Sequence, residues 1–235
     1  MRGNKMTKMK KSLVLGSVLA ASVMSSAAMA GGLSGNAGIM SDYIFRGIDQ
    51  GASASANGGV DYDSESGLAI GIWGADVDDG IEFDVYGSFS GETSGISYSI
   101  GFTTYNYTGD SFDGDYKEIN LGVGMGPVSV SYNKGSHEDA SGLLEEDYTF
   151  INLTIEQGNA YVTYGVWDTD ADEAEGSALD GSYIELGYGM EVNGLDLGIA
   201  LVTADKDLSG IRDLEDNKDI SQTSLTFSLS KSFDL

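Results

Sequence analysis

Two acidic stretches have the residue types that bind calcium in proteins. The first, DTDADEAEG, spans 168–176, and the second, DVDDG, spans 76–80. An EF-hand loop places glycine at its sixth position and glutamate at its twelfth. Counted from Asp168, those positions hold Glu173 and Leu179, so the EF-hand pattern fails. Loose binding of Ca²⁺ or Mg²⁺ at these acidic segments stays open, and the alternative that we favour is a solvated acidic surface.

The single histidine, His137, stands between Ser136 and Glu138 in the segment KGSHEDASG. Serine, histidine and a carboxylate are the groups of a nucleophilic hydrolase, but a triad is defined by spatial geometry and not by adjacency. Neighbouring side chains on an extended chain point to opposite sides, and we interpret this segment as part of a long acidic loop. The sequence therefore predicts no catalytic residues, no cofactor and no enzyme.

The charge balance excludes one class of partner. The chain of 235 residues has 37 acidic residues against 12 basic ones, no cysteine and a single proline. Five of the basic residues and none of the acidic ones fall within residues 1–30, which leaves 7 against 37 and a formal charge of −30 on the remainder. A polyanion would be repelled by such a surface, so no nucleic acid partner is expected.

The first thirty residues have the pattern of an export signal. Basic residues come first, an apolar run extends from Leu13 to about Val23, and Ala28-Met29-Ala30 gives a small-x-small cleavage pattern. This arrangement is typical of a secretory signal peptide. We therefore predict a signal peptide over 1–30 and one folded domain over 31–235.

Beyond residue 30 the hydrophobic pattern has a period of two, which is typical of β-strands. In the final segment, for example, Leu225, Phe227 and Leu229 alternate with serine and threonine. About twelve such strands follow one another with no convincing helix: 33–48, 52–62, 68–77, 81–89, 96–103, 118–125, 128–133, 148–156, 160–167, 182–191, 195–203 and 223–235.

Short and long connections alternate along the second half of the chain. Gly126-Pro127 and Asn193-Gly194 are tight turns, whereas 135–146, 168–181 and 205–219 are long and acidic. The polar faces of the strands are mostly Ser, Thr, Asn and Gly, which suit a narrow lumen better than a soluble surface. The sequence therefore predicts an all-β fold: a transmembrane, antiparallel, up-and-down β-barrel of about twelve strands in the outer membrane.

A sheet in lipid must have no free edge, so the last strand should pair with the first, Leu225 to Phe233 against Leu33 to Phe45. An aromatic-rich terminal strand is also what the barrel assembly machinery recognises, although here Asp234 and Leu235 follow Phe233. The expected partners are outer-membrane lipid, lipopolysaccharide and that machinery.

Five charged residues are predicted by strand parity to line the lumen. Arg46 is one of two arginines after residue 30, and its parity places it inside the barrel with Asp42, Glu82, Asp84 and Glu118. One interpretation makes Arg46 a constriction residue that tunes ion passage. The alternative, which we favour, is a structural salt bridge to a lumen carboxylate.

The segment SDYIFRGIDQG, 41–51, resembles the N-terminal signature of the TorF-type porin family of Gram-negative bacteria, through Ser41, Asp42, Tyr43, Phe45, Arg46 and Gly47. The stretch SGLAIGIWGADVD and the final SKSF are also similar to that family. The resemblance implies an outer-membrane barrel of the porin type.

Together these features predict a channel for passive diffusion of small hydrophilic solutes, with a preference for cations because the lumen and mouths are acidic. The alternative is a non-conducting barrel, filled by side chains such as Tyr86, Tyr105, Tyr148 and Phe150, with a structural or adhesive role.

Overall fold

The computed structural model describes residues 31–51, 53–109, 114–138, 145–169, 180–212 and 219–235. The predicted signal peptide, 1–30, and residues 170–176 of the longer acidic segment lie outside the described residues. Among the residues that are described, no helix is long and apolar enough to cross a membrane.

Sixteen β-strands are found in the described ranges, and we number them in chain order. They are β1 (Gly32–Met40), β2 (Ile44–Phe45), β3 (Ile48–Asp49), β4 (Ser55–Asp63), β5 (Leu68–Asp76), β6 (Ile81–Thr93), β7 (Ile96–Tyr107), β8 (Tyr116–Met125), β9 (Val128–Glu138), β10 (Glu145–Gln157), β11 (Ala160–Thr169), β12 (Gly181–Val192), β13 (Leu195–Ala204), β14 (Ile211–Arg212), β15 (Asp219–Ile220) and β16 (Gln222–Asp234).

Twelve of these strands form one closed, antiparallel barrel. β1 is followed around the wall by β4 to β13 in chain order and then by β16, which returns to β1. Two short hairpins, β2–β3 and β14–β15, stand apart from the wall. The predicted all-β, up-and-down transmembrane barrel of about twelve strands is confirmed.

The first and last strands close the barrel, as the sequence predicts. In the antiparallel register, Ser34 lies opposite Asp234 and Met40 lies opposite Ser228. The backbone N–H of Leu235 also donates to the carbonyl of Leu33 at 3.0 Å. Each of the twelve strands therefore has a neighbour on both sides, which satisfies the backbone hydrogen bonds that a sheet in lipid must make internally.

The two faces of the wall separate apolar from polar side chains. Ile72, Leu121 and Phe227 are among the many large apolar side chains exposed on the outer face. Inward positions hold buried polar groups such as Asn120 and Asn133, whose side chains hydrogen-bond to each other at 3.0 Å. An apolar exterior around a polar interior is the arrangement of a membrane barrel.

The barrel has two unlike ends. At the turn end, adjacent strands are joined by tight turns, including Asn193-Gly194, where both residues have positive φ, the type I′ geometry of two-residue hairpins. Both ends of the barrel chain, Gly32 and Asp234, also lie there. The opposite, loop end has longer connections, such as 41–54 between β1 and β4 and 205–221 between β13 and β16.

The structure corrects the first predicted strand. We predict one strand from Leu33 to Ile48, but β1 ends at Met40 and the chain rejoins the wall only at Ser55. The two predicted strands 33–48 and 52–62 would leave only 49–51 as their connection. In the structure, the connection at the loop end is longer and spans 41–54. A second correction concerns His137, which lies in β9 and not in a loop.

We predict that a charge on the outer face weakens the barrel. Leu121, in the middle of β8, has an exposed side chain on that face. Leu121→Arg should lower the free energy of unfolding in lipid vesicles by about 2–4 kcal/mol, because the bilayer midplane disfavours a cation. Urea titration followed by tryptophan fluorescence measures this. The control Leu121→Met keeps an apolar side chain, and equal stability of the two variants would contradict the assigned orientation.

Candidate functional site

A short hairpin folds into the barrel from its loop end. We call residues 41–51 the lumen hairpin: β2 and β3 pair antiparallel through Phe45 and Ile48, and Arg46-Gly47 forms the turn at the tip. Both tip residues have positive φ, 50° and 88°. A two-residue turn of this type suits glycine, whereas a left-handed arginine is uncommon and marks a position held by its surroundings.

The base of the lumen hairpin is bonded to the wall by backbone groups. Ser41 N–H donates to the carbonyl of Phe227 on β16 at 2.9 Å, and the Phe227 N–H donates back to Ser41 Oγ at 2.9 Å. On the other side, Asp78 N–H donates to the carbonyl of Gln50 at 3.0 Å. These bonds direct the hairpin inward at the seam where the barrel closes.

The tip reaches the opposite wall. Arg46 makes a two-pronged ion pair with Glu118 of β8, with Nη1 to Oε2 at 2.7 Å and Nη2 to Oε1 at 2.9 Å. Trp167 Nε1–H, on β11, donates to the carbonyl of Arg46 at 2.9 Å. Around the ring, β8 to β11 lie across from β1 and β4, the strands that the hairpin connects. The lumen hairpin therefore spans the interior.

Aromatic rings enclose the ion pair. The Arg46 guanidinium carbon lies 4.4 Å from the ring centre of Phe150 and 4.8 Å from that of Phe45. Tyr148 and Tyr105 donate their hydroxyls to Glu118, at 3.1 Å and 3.4 Å. Burial alone would lower the pKa of Arg46, but the Glu118 carboxylate raises it above its usual value, so Arg46 is charged. The buried Nε–H of Arg46 makes no hydrogen bond to a described residue, so the two-pronged contact with Glu118 carries the pair.

The tip also fits closely against a neighbouring loop. A Cβ at Gly47 would come within 2.7 Å of Tyr183 and 2.9 Å of Leu208, so a larger residue has no room there. Leu208 is held by Asp205, whose carboxylate accepts the N–H groups of Leu208 and Ser182. Burial would raise the pKa of Asp205, but these hydrogen bonds outweigh it and lower the pKa.

A second contact joins the lumen hairpin to β5 and β6. The Tyr43 hydroxyl donates to Glu82 Oε1 at 2.7 Å, and its ring packs edge-on against Trp73, with centres 5.7 Å apart. Burial raises the pKa of Tyr43 well above its usual range, and the charges of Glu82 and Asp84 raise it further. The Tyr43 hydroxyl therefore keeps its proton and donates a hydrogen bond to Glu82.

The structure brings four of the five predicted lumen residues into the interior. Arg46 and Glu118 pair directly, while Glu82 and Asp84 are fully buried on the inner face of β6. Asp42 is half-buried at the start of the lumen hairpin and accepts a hydrogen bond from Ser41 Oγ at 2.8 Å. Their role as pore-lining residues stays a prediction.

Three residues of the barrel interior, Tyr43, Phe45 and Glu185, are not among the lumen residues predicted from the sequence. Tyr43 and Phe45 are candidates for a membrane-interface belt by type, but both pack inside the barrel. Glu185 is a further buried carboxylate, which accepts a hydrogen bond from Tyr161. The inward parity of Glu185 on β12 is the signal that identifies it, while the Arg46-Gly47 turn is the signal for the hairpin.

His137 and Ser136 do not form a catalytic arrangement. The His137 ring stacks on Tyr116 with centres 4.5 Å apart and lies 3.4 Å from a Glu146 oxygen. Ser136 donates instead to Glu145 at 2.7 Å.

The interior differs between its two halves. The loop-end half holds the lumen hairpin and a buried cluster that includes Phe150, Trp167 and Tyr183. Towards the turn end, inward positions carry small residues: Ser34, Asn36, Gly122, Gly124, Ser129, Ser131, Gly187, Gly189, Gly198, Ser228 and Ser230. The ring of Tyr161 also lies in this half, since a Cβ at Gly187 would clash with it. The lumen hairpin and the ring cluster are therefore the features that distinguish the loop-end half.

Comparison with known proteins gives a family and a fold. The model of the family described as "Bacterial protein of unknown function (Gcw_chp)" matches residues 25–233. No curated protein matches the chain.

Two solved porins have a similar fold. The KdgM porin superposes with a TM-score of 0.50 at 8% identity, covering 86% of this chain and 98% of its own. The NanC porin superposes with a TM-score of 0.50 at 10% identity, covering 86% of this chain and 100% of its own. A membrane protein from a study of in-meso crystallization superposes with a TM-score of 0.52 at 11% identity, covering 86% of this chain and 84% of its own. At these identities the likeness shows the fold.

We predict that the buried ion pair stabilises the barrel far more than an exposed one. Arg46→Ala leaves the Glu118 carboxylate buried without its cation, which should cost about 3–5 kcal/mol of unfolding free energy. The matched control is Lys134→Ala, which breaks the pair with Asp147 at 3.1 Å, where both side chains are about half exposed. That change should cost at most about 1 kcal/mol.

Equilibrium unfolding in lipid or detergent measures both losses, and Trp167 fluorescence reports release of the tip. Equal losses for the two variants would contradict the assigned role of Arg46.

Proposed function

The chain belongs to the Gcw_chp family of bacterial proteins of unknown function, and we propose that it is a porin-like channel of the outer membrane. The channel admits small hydrophilic solutes by passive diffusion and favours cations. The observation that carries this proposal is a closed barrel with an apolar exterior and a polar, charged interior. Two barrels of similar fold are named porins, KdgM and NanC.

The preference for cations rests on the charges inside the barrel. Among the described residues, four buried carboxylates, Glu82, Asp84, Glu118 and Glu185, face a single buried arginine or lysine, Arg46. Glu118 is neutralised by Arg46, so the other three set the potential. Carboxylates in a narrow, low-dielectric lumen attract cations and repel anions.

The lumen hairpin limits the size of the solute. Its contacts with β6, β8 and β11 place aromatic and charged side chains across the path from the loop end. A solute must therefore pass beside the hairpin or displace it, which restricts passage to small molecules.

The orientation in the membrane follows from the sequence and is part of the proposal. With the signal peptide removed, both ends of the barrel lie in the periplasm with the tight turns, and the acidic loops face outward. There we favour a solvated acidic surface, with loose binding of Ca²⁺ or Mg²⁺ between carboxylates and the phosphates of lipopolysaccharide as the alternative. The terminal strand β16 would be recognised by the barrel assembly machinery, and the resemblance to TorF-type porins stays a prediction.

One observation favours a second candidate function. The lumen hairpin and the ring cluster around Phe150, which is 0% exposed, fill much of the loop-end half. A barrel filled in this way could be a non-conducting structural or adhesive protein of the outer membrane. The two candidates differ in conductance.

We predict a cation-selective current. In planar bilayers under a salt gradient, the reversal potential should show K⁺ permeating better than Cl⁻, because no described arginine or lysine pairs with Glu82, Asp84 or Glu185. Glu185→Gln removes one charge and should shift the reversal potential towards zero. Anion preference would contradict the assigned selectivity, and complete lack of conductance would favour the non-conducting barrel.

We also predict that the lumen hairpin limits conductance. Replacing residues 42–50 by alternating Gly and Ser removes the side chains of Tyr43, Phe45 and Arg46 from the lumen, so single-channel conductance should rise severalfold. Lys134→Ala, a change on the outer face, should leave it unaltered. Unchanged conductance in the hairpin variant would show that the constriction lies elsewhere.

A further inference from the structure

Among the described residues, one buried carboxylate in the lumen, that of Asp84, accepts no hydrogen bond. Asp84, on β6, is 0% exposed, and neither of its oxygens accepts a hydrogen bond from any described residue. A carboxylate that leaves water without receiving a hydrogen bond or a counter-charge is costly in free energy. Such an acid is stabilised either by taking up a proton or by binding a cationic group that donates to its oxygens.

The inner-face neighbours of Asp84 are aromatic. The register places Trp73 of β5 directly opposite it on one side and Tyr105 of β7 on the other. Tyr86 follows two residues along β6, and Tyr43 and Tyr107 are close enough to interact with the Asp84 charge. Aromatic residues beside a carboxylate are the residue types that bind ammonium groups, because a cation is attracted both to a ring face and to the acid.

The surrounding hydroxyls are committed to other acceptors. Tyr43 and Tyr107 bond to Glu82, Tyr86 donates to Asp61, and Tyr105 donates to Glu118. None of these donors is therefore directed to Asp84, although all lie near it. Both terminal nitrogens of Arg46 bond to Glu118, and its buried Nε–H makes no hydrogen bond to a described residue, Asp84 included.

A donor without an acceptor lies across from this acid. Trp73 Nε1–H is buried and makes no hydrogen bond within the described part of the chain. Asp84 and Trp73 are thus a facing acceptor and donor pair on adjacent strands, and neither satisfies the other. A second buried carboxylate, Glu82, lies two residues away on the same face of β6.

We propose that Asp84 is a binding site for a small ammonium group, either the ammonium ion or the end of a primary amine. The ammonium donates to the Asp84 oxygens and lies against the rings of Trp73 and the neighbouring tyrosines. This inference rests on the proposed channel function and deepens it, since it names small amines as a class of solute that the lumen recognises.

Isothermal titration of the full-length mature protein in detergent with methylammonium chloride tests the site without a bilayer. The wild-type protein should bind, and Asp84→Asn should weaken binding by roughly tenfold or more, the effect of losing a charge-assisted hydrogen bond. Asp61→Asn is the matched control: this carboxylate already accepts hydrogen bonds from Asn36 and Tyr86, so binding should be retained.

A second measurement does not depend on a change at Asp84. The chain has two tryptophans, so Trp167→Phe leaves Trp73 as the sole reporter, and its emission should change on addition of methylammonium but not of sodium at equal ionic strength. No binding by the wild-type protein, equal binding by Asp84→Asn, or an identical response to sodium would each overturn the proposal. If the barrel gives cation-selective currents but does not bind methylammonium, the proposed site at Asp84 is wrong and the proposed channel function stands.

Discussion

A sheet that spans a membrane cannot leave an edge unpaired, and this constraint determines the rest of the molecule. β1 must bond to β16, as it does from Ser34 to Met40, and closure creates an interior that water and side chains must fill. Because residues alternate between the two faces, every strand that presents Leu121 or Phe227 to lipid must present its other residues to that interior. The polar groups of the lumen are therefore a consequence of closure, and their identities determine what the barrel can do.

The interior has its own requirement, which is that buried charges need partners. The lumen hairpin supplies two: Arg46 for Glu118 and the Tyr43 hydroxyl for Glu82. In doing so it crosses the barrel and narrows it at the loop end, so the same contacts that neutralise the wall also restrict the path. Glu185 is satisfied by Tyr161, while Asp84 receives no hydrogen bond from the described residues. In the channel that we propose, this uneven distribution of partners would set the selectivity among solutes.

The twelve wall strands could be predicted from the sequence because alternation is a local signal and the tight turns have characteristic residues, such as Asn193-Gly194. The lumen hairpin could not, because Tyr43 and Phe45 continue the odd-numbered apolar pattern of β1, and a strand that leaves the wall has the same alternation as one that stays in it. Strand parity correctly predicts that the Arg46 side chain lies inside the barrel. The residue, however, lies in the turn of the lumen hairpin and not on a wall strand. Which carboxylate it meets depends on how far the hairpin reaches across, and that distance is set by closure of the whole sheet. The lack of a hydrogen-bond donor at Asp84 likewise depends on neighbours from β5 and β7 that no local pattern specifies.

The central claim is that the tip of the lumen hairpin is bound to the opposite wall. Nuclear Overhauser measurements on the protein in detergent micelles, with labelled arginine and phenylalanine, test it directly. The claim predicts cross-peaks between the Arg46 side chain and the Phe150 ring, since the guanidinium carbon lies 4.4 Å from the ring centre. An Arg46 side chain that shows contacts with water alone would contradict it.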